Sequence, residues 1–240
     1  MEYKPDTYLD MIKKIGKSSD IFIFVDGPRR CGTNYTRTSI GSMLLKKDLI
    51  LHHSDSWHDP KIFIEDDNYL HNKNIVHIVP IRNPKQVFIS AFMMYGYDEP
   101  ESVLTYHKNL LLREILNFIY YFNLPKKYKN VILCPIEIFN NNEILILNLI
   151  NKNNNLGLEI GSFNKDKALS LLPKFEEYGE NGLIKFHSYP IKEQEKQEYK
   201  DKKEFFENLI NNDSSALLTI NALSNKYEVF LEEKKKEWGI

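Results

Sequence analysis

A run of five apolar residues, Ile21 to Val25, stops at Asp26-Gly27-Pro28, and a helical pattern opens near Thr33. Strand, glycine-containing turn and helix in that order constrain the fold more than any other stretch of the chain. They leave free backbone N–H groups at a helix start, just beyond the end of a buried strand, where an anion is stabilised. Arg29 and Arg30 sit within the turn, and their forked donors suit phosphate or sulfate oxygens. The spacing Gly27-x-x-x-x-Gly32 fits the frame of a phosphate-binding loop. The Lys and the Ser or Thr that hold terminal phosphates and magnesium in nucleoside triphosphatases are replaced by Thr33-Asn34. Arg30 supplies positive charge from another point on the loop, which suits an anionic nucleotide bound without a magnesium site. The competing reading is a surface turn carrying two exposed arginines.

Further strands follow. Asp48 to His52 reads as a short one, Asn74 to Ile81 (NIVHIVPI) as a clear one, and Tyr128 to Cys134 as another. Pro80 lacks the N–H that a central strand needs, so the third strand is expected to end early. Helical patterns cover Tyr8 to Ile15, Thr33 to Lys46, Pro84 to Met94, Ser102 to Phe122 and Ile136 to Ile150. Val103, Leu110, Leu111, Ile115 and Phe118 are the inner positions of the longest. Beyond Asn151 the pattern weakens: Lys165 to Tyr178 and Lys202 to Asn211 read as helices, and Lys234-Lys235-Lys236 as a solvated helix end. Apolar strands alternating with helices predict a three-layer α/β fold, with a mostly parallel sheet flanked by helices and a P-loop-like first turn. Ligands in such sheets bind beyond the carboxyl ends of the strands. Arg30, His52 and Arg82 all fall there. His77, inside an apolar run, reads as a core histidine.

The 240 residues suffice for one domain with a full core, and a net charge of -1 gives no extended footprint for nucleic acid or a membrane. Any basic site must be local. Two cysteines, Cys31 and Cys134, make neither a disulfide framework nor a metal quartet and fit a reducing compartment. The opening MEYKPDTYLD has no apolar signal segment, and no run of about 18 apolar residues occurs later, so a cytoplasmic protein is expected.

Two motifs carry a family resemblance. The first reads Arg29-Arg30-Cys31-Gly32-Thr33-Asn34-Tyr35 after a strand; the second reads Arg82-Asn83-Pro84, with Ser90 eight residues beyond the arginine. In order and separation they resemble the PAPS-dependent sulfotransferases, where PAPS is 3′-phosphoadenosine 5′-phosphosulfate. The resemblance covers about residues 20 to 95. It implies that Arg29, Arg30, Cys31, Gly32, Thr33 and Asn34 hold the 5′-phosphosulfate, with Arg30 stabilising charge on the bridging oxygen. Arg82 and Ser90 would bind the 3′-phosphate. Cys31 stands where a serine is common, which removes one donor. Family members use a histidine or glutamate after the second strand as the base. His53, His58 and Glu65 occupy that part of the chain, and His53 is favoured.

The resemblance thus implies a donor-binding core at about residues 20 to 135 and a helical, acceptor-shaping part at about 136 to 240. PAPS would be the donor, a hydroxylated glycan or small molecule the acceptor, and no metal would be required. Two other functions fit the same strand–loop–helix logic. A P-loop nucleotide or small-molecule kinase should carry the lysine and the Ser or Thr that are missing here. A noncatalytic nucleotide-binding module would keep Arg82 and Ser90 without a base beside the donor.

Overall fold

Two short apolar runs lie side by side at the centre of the sheet. In the computed structural model, which describes residues 20–46, 50–51, 74–95, 100–170 and 197–240, β1 (Phe22–Val25) and β3 (Ile75–Ile81) are buried along their whole lengths. Burial on both faces explains why they read as continuous apolar runs rather than alternating ones. β2 (Ile50–Leu51) pairs with the outer side of β1, and β4 (Val131–Pro135) with the outer side of β3. All pairs are parallel in the order β2-β1-β3-β4, with Ile23 opposite both Ile50 and Val76, and Ile78 opposite Ile132.

Helices cover both faces. α1 (Thr33–Met43) follows β1, while α2 (Pro84–Tyr95) and α3 (Pro100–Lys127) lie between β3 and β4. Beyond β4 come the single turn α4 (Ile136–Phe139), then α5 (Glu143–Asn153), α6 (Lys165–Ser170), α7 (Gln197–Asn212) and α8 (Ser214–Trp238). α5 and α6 pack beside α1, and α7 and α8 beside α2. Aromatic rings join the latter layer internally: Phe88 of α2 meets Phe118 of α3, and Phe122 of α3 meets Phe230 of α8. The expected three-layer α/β architecture with a parallel sheet is therefore present. The chain leaves β1 toward β2 on one side and leaves β3 toward β4 on the other. Right-handed crossovers then put α1 and α2 on opposite faces and open a crevice beyond the carboxyl ends of β1 and β3.

One expectation is corrected. β3 does not end before Pro80; it runs through it to Ile81, which pairs with Pro135. The His77 N–H bonds to the Asn130 carbonyl on the β4 side. By parallel alternation, residues 78 and 80 turn toward β1, and there β1 has already ended at Val25. The last ladder bond on that side is therefore from the Asp26 N–H to the Ile78 carbonyl, and pairing with β1 stops where Pro80 has no N–H to give. Gly27 fills the space instead, so closely that a Cβ on it would lie 2.7 Å from the Pro80 carbonyl oxygen and 3.3 Å from Pro80 Cδ. Gly27→Ala is expected to destabilise the fold by about 1–3 kcal/mol, read as a lower urea midpoint. An unchanged midpoint would mean that the loop can lift off Pro80.

The second difference is in the last third of the chain. α8 is 25 residues long, whereas sequence reasoning found only a helix end at the lysine run. Its inner stripe is Ala216, Ile220, Leu223, Tyr227, Leu231 and Trp238. Asp213 caps it, accepting from the Ser215 and Ala216 amides at 3.1 Å each, and Gly239 closes it with φ of 70°. α3 also runs from Pro100 to Lys127, beyond the expected 102–122. The expected helix at Tyr8 to Ile15 lies outside the described residues, as does most of Lys165 to Tyr178.

Candidate functional site

The turn after β1 is held from beneath by buried polar groups of α3. Asp26 is buried; its amide donates to the Ile78 carbonyl at 3.3 Å, and its Oδ2 accepts from the Tyr121 hydroxyl at 2.9 Å. Arg29 turns inward, with a guanidinium nitrogen 3.9 Å from Glu114 Oε1; Arg113 approaches the same oxygen at 3.4 Å. Glu114 is only 2% exposed, so its charge depends on these cations. The two adjacent arginines thus have different surroundings, and Arg29 is a brace for the loop.

Arg30 goes the other way. Its backbone has φ of 65°, a left-handed conformation that costs a non-glycine residue about 1–2 kcal/mol. Its Nε donates to Ser90 Oγ at 2.9 Å, joining the β1 loop to α2. Gly32 is also left-handed, with φ of 80°, and a Cβ there would come within 2.9 Å of Ile136 Cδ1. No side chain caps α1 after it, so its first-turn amides lack a side-chain acceptor, the arrangement that favours an anion. Thr33 Oγ1 is buried and has no hydrogen-bond partner among the described residues. An uncapped helix start beside an orphaned hydroxyl fits an anionic group. Cys31 is fully buried; burial pushes its thiol well up, against the Arg82 amide that bonds to it, so it stays protonated and packs.

The exit of β3 forms the opposite side. Arg82 Nε donates to Gln86 Oε1 at 2.9 Å, one turn along α2. Asn83 caps α2 by accepting from the Lys85 amide at 3.0 Å. Its own amide donates to Glu137 at 3.1 Å, and its side-chain amide to Glu228 at 2.8 Å. Glu137 also accepts from the buried Tyr227 hydroxyl. Burial first, then the Glu137 charge, drives the Tyr227 pKa far up, so it remains a donor. Through these bonds α8 is fastened to the end of the sheet.

The structure therefore brings together Arg30, Cys31, Gly32 and Thr33 from the first motif with Arg82 and Ser90 from the second. Within that group Ser90 accepts from Arg30, while Arg82 bonds to Gln86. Asn34 is half-buried in the first turn of α1. His53, His58 and Glu65 lie outside the described residues, as does His52. His77 is a core residue, fully buried with its ring 4.8 Å from that of Phe24, and burial lowers its pKa to about 4. Sequence reasoning missed Asp26, Glu114, Tyr121, Glu137 and Tyr227. Among the described residues no cluster of three His, Cys, Asp or Glu is placed to hold a metal, and no helix is long and apolar enough to cross a membrane.

No protein-family model, curated protein or solved structure matches the chain.

Proposed function

We propose that this chain is a sulfotransferase. It moves a sulfuryl group from PAPS to a hydroxyl of a glycan or small-molecule acceptor, and its β1 loop serves as a P-loop-like anion cradle. The observation that carries the reading is the hydrogen bond between Arg30 and Ser90, 60 residues apart in sequence, at the carboxyl end of the parallel sheet. Each belongs to a different motif of the resemblance. The uncapped start of α1 and the orphaned Thr33 hydroxyl support an anion there.

In this reading Arg30 carries the charge that develops on the leaving oxygen, and the first-turn amides of α1 bind the phosphosulfate. Ser90 is a neutral acceptor for Arg30, and an anionic oxygen makes a stronger one. Arg82 and Ser90 take the 3′-phosphate. The donor supplies an activated sulfur: its S–O bond to the bisphosphate breaks as the acceptor oxygen bonds to sulfur. The acceptor's proton goes to a base, for which His53, His58 and Glu65 are the candidates.

The test is thermal stabilisation of the full chain by adenosine 3′,5′-bisphosphate, beside AMP, ADP and ATP with and without magnesium. A ligand of the folded state adds about 2.7 kcal/mol at about a hundredfold excess over its dissociation constant. Stabilisation by the bisphosphate alone, without magnesium and lost in Arg82→Ala and Ser90→Ala, is the expected result. Preference for ATP with magnesium would favour a kinase instead. A response to no nucleotide would remove the enzyme assignment.

A further inference from the structure

A cleft of about 760 Å³ lies against β4, on the side of the sheet away from β2. Val131, Ile132 and Leu133, three residues in succession, all line it. Successive strand side chains point to opposite faces. A cavity that touches three in a row therefore opens on the backbone edge of the strand.

That edge is unpaired among the described residues, because β4 is last in the strand order. The register sets which groups it presents. With His77 opposite Val131 and its N–H on the Asn130 carbonyl, residues 130, 132 and 134 turn their backbone groups toward β3. The Leu133 N–H and C=O and the Val131 C=O point outward, into the cleft. Phe122 and Pro125 of α3 with Val229 and Phe230 of α8 wall one side; Asn153 and Asn154 at the end of α5 wall the other. An unpaired strand edge between two walls has room for one extended segment.

Charge narrows the occupant. Lys126, Lys129 and Lys226 line the cleft with no carboxylate partner among the described residues, while Lys234 is engaged by Glu237 at 2.6 Å. Glu233 is the other acid present. A second copy of β4 would bring its own Lys126 and Lys129 against these, a like-charge meeting that strand edges use to prevent self-pairing. We propose that the β4 edge takes up an extended peptide that presents acidic and apolar residues together on one face, as a fifth strand of the sheet. Its backbone donates to the Val131 and Leu133 carbonyls and accepts from the Leu133 N–H. Its apolar side chains pack on Phe122, Val229 and Phe230, and its carboxylates neutralise the lysines. The five residues of β4 set the length, about five residues.

The probe is a fluorescein-labelled pentapeptide, Glu-Thr-Val-Thr-Glu, whose glutamates and valine share one face, titrated with the full chain and followed by fluorescence anisotropy. It is expected to bind at least about tenfold more tightly than its counterpart with lysine in place of glutamate. The same glutamate peptide N-methylated at alternate residues, on its pairing edge, should not bind; this comparison leaves the protein untouched. The double variant K126E/K226E, with an unchanged urea midpoint, should prefer the lysine peptide. Three results would each overturn the proposal: no binding of the glutamate peptide, equal binding of the N-methylated one, or a preference unmoved by charge reversal. Displacement by dodecyl sulfate together with equal N-methylated binding would identify a small amphipathic anion as the occupant instead. None of these outcomes depends on sulfuryl transfer.

Discussion

Arg30→Ala is expected to reduce release of adenosine 3′,5′-bisphosphate from PAPS by at least about 10²–10³-fold, the loss seen when one donor to a developing oxyanion is removed. A full charge at the leaving group should place the effect at the upper end. Arg82→Ala and Ser90→Ala should instead act mainly on donor affinity, because they are assigned to the 3′-phosphate and not to the leaving oxygen. The backbone supplies a control. Arg30 holds φ of 65°, which glycine adopts at no steric cost. Arg30→Gly should therefore fold at least as well as Arg30→Ala while being equally inactive, and a strained residue retained at the expense of stability is what a functional role leaves behind. Arg30→Lys keeps charge but loses the fork, so it should recover only part of the rate. Equal and small effects at Arg30, Arg82 and Ser90 would end the assignment.

The sheet was legible because its strands are buried on both faces: Phe22–Val25 and Ile75–Ile81 announce themselves as uninterrupted apolar runs. The turn between β1 and α1 was legible because Gly27 and Gly32 fall where a tight approach and a left-handed φ demand them. Pro80 misled, because a proline in a central strand is normally a contradiction. What resolves it is that β1 ends at Val25, immediately before Asp26-Gly27, a fact about the neighbouring strand and not about Pro80.

Glu114 was within reach and was passed over. The arithmetic that placed Leu111 and Phe118 on the inner face of α3 puts residue 114 there too, followed by Asn117 and Tyr121, all three buried. A lone acid on an apolar helix face needs a cation, but the resemblance had already given Arg29 to the phosphosulfate. The stripe of α8 was also present in the sequence at spacings of three and four, but its exposed face carries Leu218 and Val229 alongside the charges. That weakened the amphipathic contrast by which such helices are recognised. The Arg30–Ser90 bond could not be read from spacing at all, since it depends on which way two neighbouring arginines turn. Glu114 decides that by drawing Arg29 inward.

His77 is expected to make the fold weaken as the solution is acidified, by about 3 kcal/mol between pH 6.5 and 4. Its ring is fully buried beside Phe24, and removal from water lowers its pKa from 6.5 to about 4, a shift that the nearby Asp26 charge partly opposes. In the unfolded chain the ring binds a proton as pH falls through 6.5, while in the folded chain it stays neutral until about 4. Through that window the unfolded state holds more protons, so stability rises with pH and is lost on the way down. Well above pH 6.5 both states are neutral and His77 adds no slope. Urea midpoints of the full chain at pH 4.5, 5.5, 6.5 and 7.5 would measure it, with His77→Leu as the comparison. The variant's absolute stability is set by how well leucine packs against Phe24, but its slope is not: without a titrating ring, the acid-side loss between 4 and 6.5 should shrink by the amount assigned to His77. If the slope survives unchanged, other groups carry the acid sensitivity, and burial of His77 does not hold it neutral.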